Sequence, residues 1–283
     1  MSGQLRALKN RIKSVENTKK ITRAMEMVAA SKLRRFQDMM VKARPFTERL
    51  ENLVKRVGTS SVRHPFFENR EEKRAALVLF TSDTGLCGSY NNDLVEIARR
   101  FLAEKEKPFL IGVGKSGITA LKRRGYACDA TFTDTRASRV EEILKDLKLL
   151  LEKIYLEKKV DAIYVTYSHF VSVTTYQGVT QKLLPLETAK EAVKDTTDYI
   201  FEPSPEVIFQ KLIPMFFEAR TRTIFLESFV SEQIARMRAM HQATENAKEM
   251  IDSLVLERNK ARQASITKEL IEIVSGSRAL KIK

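Results

Sequence analysis

The sequence predicts an α/β protein in which two very long helices, one at each end of the chain, form an antiparallel coiled coil. Glycine and proline are rare at both ends, apolar residues recur there at coiled-coil spacing, and the middle alternates strand-like with helix-like segments. Of the ten glycines, eight lie between Gly58 and Gly178. We therefore expect an N-terminal helix over residues 1–57, an α/β domain over 58–205 and a C-terminal helix over 206–283.

The first helix is predicted from a run of 41 residues, Gln4 to Arg44, without glycine or proline. Inside a helix glycine costs about 1 kcal/mol and proline about 3 kcal/mol, so their absence favours a helix. Pro45 should bend it. The residues with the alternating three-four spacing of a coiled coil are Leu5, Leu8, Ile12 and Val15, then Leu33, Phe36, Met40 and Ala43. Between these groups we expect the register to slip, so that Ile21, Met25 and Val28 enter the seam.

The second helix should begin at Ser204-Pro205-Glu206, which supplies an N-cap, a proline at the first helical position and an early acid. We expect a kink or short break at Pro214, followed by 61 residues without glycine or proline. At about 1.5 Å per residue that run spans roughly 90 Å, so the helix must project from any compact domain. The residues predicted to form its seam are Met237, Met240, Thr244, Ala247, Ile251 and Leu254. If both helices rise equally per residue from the middle domain, Met1 lies beside roughly residue 263. The last twenty residues should then continue as a lone helix.

The middle of the chain alternates buried-strand runs with amphipathic stretches. The predicted strands cover 75–81, 109–113, 130–133, 161–167 and 171–184, and the predicted helices cover 91–105, 116–124 and 140–157. Such alternation predicts a Rossmann-like α/β domain, a parallel sheet with an antiparallel addition at one edge. We expect the last two strands to form a hairpin that turns at Ser168-His169.

One short motif resembles a nucleotide-binding loop. Residues 112–117 read G-x-G-x-x-G between a strand and a helix. The motif follows the second strand of the domain, however, and its nearest following acids are Asp129 and Asp134 rather than one about twenty residues on. A phosphate-binding loop would also need glycine where Phe109 stands. We interpret the motif as a tight turn and expect no cofactor.

The residues that usually carry catalysis or bind metals are few and scattered. Cys87 and Cys128 lie 41 positions apart, which excludes a disulfide scaffold and a zinc ribbon. The three histidines, His64, His169 and His241, argue against a metal site. Ser168 beside His169 is not a triad, because a triad needs groups that meet in space. Cys87 is a candidate reactive thiol without a partner, so we expect neither a catalytic residue nor a bound metal.

The net charge of +14 is concentrated in the first helix. Residues 1–56 hold 15 Lys and Arg against 5 Asp and Glu, a net of +10. Such a basic shaft indicates an acidic partner, either nucleic acid or an acidic protein surface. The chain has no tryptophan, which weighs against stacking on single strands. A basic coiled-coil protein that binds nucleic acid is therefore one hypothesis.

Three segments carry a resemblance to the gamma subunit of F-type ATP synthases. They are KITRAMEMVAASKLRR at 20–35, TSDTGLCGSYN at 81–91 and NKARQASITKELIEIVSG at 259–276. The three lie in order, and the likeness covers essentially the whole chain. Thr84 stands where the family often has arginine, and the ending from Arg278 to Lys283 is more basic than is typical of the family.

The resemblance implies a central rotor shaft without catalytic residues, which couples proton flow to ATP formation by rotating inside a ring. The implied partners are the alpha3beta3 hexamer of F1, the epsilon subunit and the membrane c-ring, with no nucleic acid and no direct membrane insertion. The N-terminus is polar and basic, without an apolar signal core or a transit peptide. We therefore expect a peripheral protein on the cytoplasmic face of a bacterial inner membrane.

The resemblance also implies which side chains meet the beta subunits. Met25 matches the position that faces an acidic lever of a beta subunit. Arg262, Gln263 and Thr267 match positions that contact a beta loop near the top of the shaft. Arg34 and Arg35 are further candidates, although an ordinary solvated helix face explains them equally well.

Overall fold

The computed structural model describes residues 3–57, 64–136, 138–172, 175–186, 202 and 204–281. Backbone contacts group the chain into two compact units, one of residues 1–29 with 237–283 and one of residues 30–236. Two helices contribute to both units: α1 (Gly3–Val57) and α5 (Pro205–Lys281). Their extents confirm the helices predicted from the missing glycines and prolines. Of the kink or short break predicted at Pro214, the break does not occur, since α5 continues through this residue.

Between these helices lies the α/β part of the second unit. Its strands are β1 (Ala75–Phe80), β2 (Phe109–Val113), β3 (Ala130–Phe132), β4 (Ala162–Phe170) and β5 (Tyr176–Leu184). Its helices are α2 (Tyr90–Ala103), α3 (Lys115–Arg123) and α4 (Val140–Leu156). The alternation of strand and helix is as predicted.

The sheet has the strand order β3-β2-β1-β4-β5. The β1–β2, β1–β4 and β2–β3 pairs are parallel, and β5 joins β4 antiparallel at the edge. All six residues of β1 are buried, as expected for a strand paired on both sides in a sheet with covered faces. The predicted parallel sheet with an antiparallel addition is confirmed.

The predicted hairpin turn at Ser168-His169 is wrong. Both residues lie inside β4, where Ser168 pairs with Gly178 and His169 with Gln177. The Ser168 carbonyl accepts a hydrogen bond from Ser231 Oγ of α5 at 3.3 Å. This contact belongs to the tertiary structure, which overrides the local preference of serine for turns.

The seam of the first unit also departs from the prediction. Ile21, Met25 and Val28 are 59%, 40% and 55% exposed, whereas Thr22 is 8% exposed and Ala29 is 1% exposed. The three-four spacing therefore continues unbroken, and no slip occurs. Farther along this seam, Leu8 and Ile12 of α1 form an apolar cluster with Leu254 of α5. The helices are antiparallel, since Thr22, which is later in α1, meets Thr244, which is earlier in α5.

In the second unit, α5 is the central helix. Every residue from 224 to 236 is buried. Phe36 of α1 packs on Phe229 with ring centroids 4.0 Å apart, and Phe80 of β1 packs on Phe225 at 5.8 Å. The helix thus contacts α1 as well as the sheet, and both contacts help form the core.

Candidate partner surfaces on the long helices

The residues implied as partner contacts point away from the helix seam. Met25 is 40% exposed on α1, and Arg262, Gln263 and Thr267 are exposed on α5. Gln263 and Thr267 lie one turn apart, with the Thr267 hydroxyl donating to the Gln263 carbonyl at 2.9 Å. The neighbour of Met25, Glu26, meets His241 at 3.2 Å. His241 precedes Arg262 by 21 residues, so these surfaces lie roughly 30 Å apart along the helix.

Met25 belongs to an apolar stripe on the outside of α1. Ile21, Met25 and Val28 recur at helical spacing and are 59%, 40% and 55% exposed. Burying each such side chain is worth about 1.5–3 kcal/mol relative to leaving it exposed. Because these side chains are exposed, their burial does not stabilise the unit itself. An exposed apolar stripe of this kind is typical of a surface that a partner covers.

A second exposed apolar surface lies near the end of α5, where every residue from 266 to 277 is exposed. Its large apolar side chains are Ile266, Leu270, Ile271, Ile273 and Val274. The predicted lone helix is consistent with this exposure. The basic ending noted in the sequence, Arg278 to Lys283, lies outside the residues whose side chains are described.

Arg34 and Arg35 lie in the second unit on the outer face of α1. Both are exposed, whereas their neighbours Leu33 and Phe36 are 5% and 1% exposed. The amphipathic pattern of the helix therefore places the two guanidinium groups outside. Both interpretations, partner contact and solvated face, fit this position.

The loop that resembles a nucleotide-binding motif is a tight turn with its amides already paired. The backbone amide of Lys115 at the start of α3 donates to Asp83 Oδ1 at 3.0 Å, and Gly117 N donates to Thr81 Oγ1 at 2.9 Å. Ser116 N donates to the Ser82 carbonyl at 3.0 Å. A carboxylate of the chain thus occupies the position at a helix N-terminus where a phosphate would bind.

A buried ion pair near this loop is not predicted from the sequence. Glu232 and Arg236 of α5 are 6% and 8% exposed, and Glu232 Oε1 accepts from Arg236 Nη1 at 2.6 Å. Burial raises the pKa of Glu232, and Arg236 opposes that shift. The i, i+4 spacing of opposite charges is visible in the sequence. Such pairs usually lie on a helix surface, however, so the spacing does not reveal burial.

Neither the candidate thiol of Cys87 nor the side chain of His169 is placed for catalysis. Cys87 is 2% exposed, and burial raises the pKa of its thiol, which disfavours the nucleophilic thiolate. His169 Nδ1 lies 2.7 Å from Glu227 Oε2. Ser168 is the preceding residue of the same strand, and successive strand side chains point to opposite faces. Serine and histidine therefore do not meet as a nucleophile and base.

The parts of the chain that the structure describes contain no group of three or more His, Cys, Asp or Glu placed to hold a metal ion. Among the same residues, no helix combines the length and apolar character needed to cross a bilayer. Two long helices with exposed apolar surfaces, together with an α/β sheet, define the class as a subunit that works in a larger assembly.

Comparison with known proteins identifies the assembly. A family model described as ATP synthase matches residues 4–280. The chain is 41% identical over 280 residues to the ATP synthase gamma chain of Moorella thermoacetica, covering 98% of this chain and 99% of the relative. It is 40% identical to the gamma chain of Desulforamulus reducens, with the same coverage. The chain therefore belongs to the family of ATP synthase gamma chains.

Solved structures share the fold. A chain of the Euglena gracilis mitochondrial ATP synthase in rotational state 3 superposes with a TM-score of 0.72 at 18% identity, covering 98% of this chain and 95% of that one. A chain of the Tetrahymena thermophila mitochondrial ATP synthase, from a structure of the central stalk and c-ring, gives 0.59 at 24% identity, covering 79% and 99%. The relatives lend no support to the nucleic-acid hypothesis.

Proposed function

We propose that this chain is the central rotor shaft of the F1 sector of an ATP synthase, coupling proton flow through a membrane c-ring to ATP synthesis at the beta subunits. The observation that carries the proposal is the 41% identity to a gamma chain, which extends over 98% of this chain and 99% of the relative. The exposed apolar surfaces near the start of α1 and the end of α5 fit a shaft that runs inside a ring of other subunits.

The proposed mechanism is differential binding. A shaft with different surfaces on different sides meets each of three beta subunits differently, and each orientation stabilises one beta conformation. The stripe of Ile21, Met25 and Val28 lies on one side of α1, which makes the helix pair asymmetric. Turning the shaft then changes the nucleotide affinity of each beta site. The chain itself is non-catalytic in this scheme.

The proposed partners are the alpha3beta3 hexamer, the epsilon subunit and the c-ring. Met25 is proposed to face an acidic lever of a beta subunit, and Arg262, Gln263 and Thr267 to contact a beta loop. The net charge of +10 on residues 1–56 favours an acidic surface around α1. Arg34 and Arg35 are weaker candidates for the same surface.

The proposed location is peripheral, on the cytoplasmic face of a bacterial inner membrane, held there through the c-ring. The domain division proposed with it is 1–57 and 206–283 for the shaft helices and 58–205 for the α/β domain. The relatives of highest identity named above are gamma chains from bacteria.

The proposal is tested by mixing the full chain with isolated alpha and beta subunits and measuring complex formation together with MgATP hydrolysis. We expect one chain per alpha-beta hexamer and stimulated, cooperative turnover. A matched sample with duplex DNA, titrated at several salt concentrations, tests the alternative. Absence of a hexamer complex, with tight salt-sensitive DNA binding, would overturn the rotor proposal.

A further inference from the structure

Between residues 224 and 236, α5 is buried on all sides, yet six of its thirteen residues there are polar. They are Glu227, Ser228, Ser231, Glu232, Gln233 and Arg236. Burying a polar group costs free energy unless it is hydrogen-bonded. A helix that served only to fill the core would carry apolar residues at these positions, so the partners of the polar groups indicate what the segment does.

Three of these residues are hydrogen-bonded to the α/β part of the unit. Glu227 Oε2 lies 2.7 Å from His169 Nδ1, and Ser231 Oγ donates to the Ser168 carbonyl at 3.3 Å. The Tyr90 hydroxyl at the start of α2 donates to the Ser228 carbonyl at 2.8 Å. The helix is thus joined to β4 and to α2 by directional bonds, in addition to apolar packing.

Arg236 joins α5 to a third element, the loop between β1 and α2. Its guanidinium donates to the Thr84 carbonyl at 2.9 Å and to the Gly85 carbonyl at 3.3 Å. Glu232 holds the guanidinium in place through a 2.6 Å bond. The other side of the loop is joined to α3 through Asp83 Oδ1 and the Lys115 amide. The loop 82–88 is therefore held between two helices.

In the same unit α1 contacts α5, and its hydrogen bonds differ in their partners from those of α5. Phe36 packs on Phe229 of α5, and the Thr47 hydroxyl lies 3.0 Å from the Thr223 hydroxyl. Among the described residues, the hydrogen bonds that join α1 to another element of this unit lead to α5. By these hydrogen bonds α1 is connected to α5, whereas α5 is bonded directly to β4, to α2 and to the loop after β1.

We propose that α5, through Glu227, Ser228, Ser231 and Arg236, is the element that transmits twisting force between the α/β sheet and the shaft. In this scheme α1 follows α5. Glu232 and Arg236 act as positioning residues that fix the loop 82–88 on α5. The inference rests on the proposed rotor function, since only a rotor carries such a load.

The first test measures the loop in the full chain without partners. The double variant E232L/R236M replaces the ion pair by apolar side chains and leaves no buried charge unpaired. We expect the amides of residues 84–88 to exchange with solvent at least ten-fold faster than in the unaltered chain. The matched control is R44M/E48L, which removes an exposed i, i+4 pair of 3.0 Å on α1 and should leave the loop unchanged. Equal loop exchange in both double variants would overturn the positioning role.

The second test measures coupling in the complex reassembled on vesicles. For E232L/R236M we expect at least a two-fold fall in protons pumped per ATP hydrolysed, with the hydrolysis rate within two-fold of the unaltered chain and the control unchanged. An unchanged ratio despite faster loop exchange would overturn the assignment of α5 as the load path. Failure of the unaltered chain to assemble would instead overturn the rotor function.

A third variant keeps the test informative if the double variant does not fold. Arg236→Lys retains the positive charge beside Glu232 but lacks the guanidinium fork that reaches two carbonyls. We expect faster loop exchange and weaker coupling in Arg236→Lys than in the unaltered chain and the control. Values equal to those of the unaltered chain would contradict the proposal.

Discussion

The Thr244 hydroxyl of α5 donates a 2.8 Å hydrogen bond to the Thr22 hydroxyl of α1 across their seam. Thr22 is 8% exposed and Thr244 is 5% exposed. The Thr22 hydroxyl donates to the Lys19 carbonyl of its own helix, and the Thr244 hydroxyl also lies 2.8 Å from the Met240 carbonyl, so its single proton is shared between two acceptors. A polar layer therefore occupies a position where a coiled coil usually has apolar residues, and a polar layer of this kind specifies register.

We predict that this threonine pair is energetically coupled. A double-mutant cycle of Thr22→Val and Thr244→Val, followed by urea unfolding of the full chain, should give a coupling free energy of about 0.5–1.5 kcal/mol, the net worth of one hydrogen bond. The control cycle pairs Thr244→Val with Thr18→Val, since Thr18 is exposed and its hydroxyl donates to the Ser14 carbonyl of its own helix. Coupling as large in the control as in the test cycle would refute the pairing.

Met25→Lys should affect partners rather than folding. Met25 is 40% exposed, so the free energy of unfolding should change by no more than about 0.5 kcal/mol. In the assembled complex the new charge should impair proton coupling more than ATP hydrolysis. The matched control is Met27→Lys, 59% exposed and two residues farther along the helix, where we expect little effect. Equal loss of coupling and hydrolysis in Met25→Lys would count against a contact there.

Arg236→Met should destabilise the second unit in a pH-dependent way. Removing one partner of a buried ion pair costs about 3–5 kcal/mol, because Glu232 stays buried without a counter-ion. Burial already raises the pKa of Glu232 while Arg236 lowers it, so the variant raises that pKa further. The loss should be full at pH 8 and shrink as the pH falls and Glu232 binds a proton, which removes the unpaired charge.

The measurement for this prediction is the free energy of unfolding between pH 5 and pH 8. The reference is E232Q/R236M, which has no titratable group at either position. The stability gap between Arg236→Met and this reference should widen as the pH rises. A gap that stays constant with pH would show that the cost comes from lost packing and hydrogen bonds, with no contribution from the unpaired charge.

Gly114→Ala should be far more harmful than Gly125→Ala. Both glycines have positive φ, 93° and 87°, a region that costs a side chain about 1–3 kcal/mol. A Cβ at Gly114 would also overlap the Thr81 carbonyl, whereas nothing lies within 4 Å of one at Gly125. Since both glycines share the positive φ, the difference between the two variants measures the cost of the overlap with the Thr81 carbonyl. Similar melting temperatures for the two variants would contradict this account.

Removing residues 264–283 should leave the rest of the chain folded. Every residue from 266 to 277 is exposed, so the truncation removes few packed side chains. Circular dichroism should lose helical signal in proportion to the removed length, with the melting temperature almost unchanged. Assembly or torque with partner subunits should weaken. A large fall in melting temperature would show that this end stabilises the chain itself.

The extents of α1 and α5, and the alternation of strands and helices between them, can be predicted from local features of the sequence. These features depend on local effects: the cost of glycine and proline inside a helix, the cap at Ser204-Pro205, and runs of apolar residues. The family also followed from local motifs. Met25 and Arg262 were selected from such motifs, and their exposed positions agree with a contact role that stays a prediction.

Which residues meet depends on packing between segments that are distant in the sequence. Ile21, Met25 and Val28 are more apolar than Thr22 and Ala29, yet they lie outside the seam, because register is set by packing along both helices. Arg236 reaches the Thr84 carbonyl 152 positions earlier in the sequence. Residues so far apart leave no mark on each other's local sequence, so hydrogen bonds between them are visible only once the chain has folded.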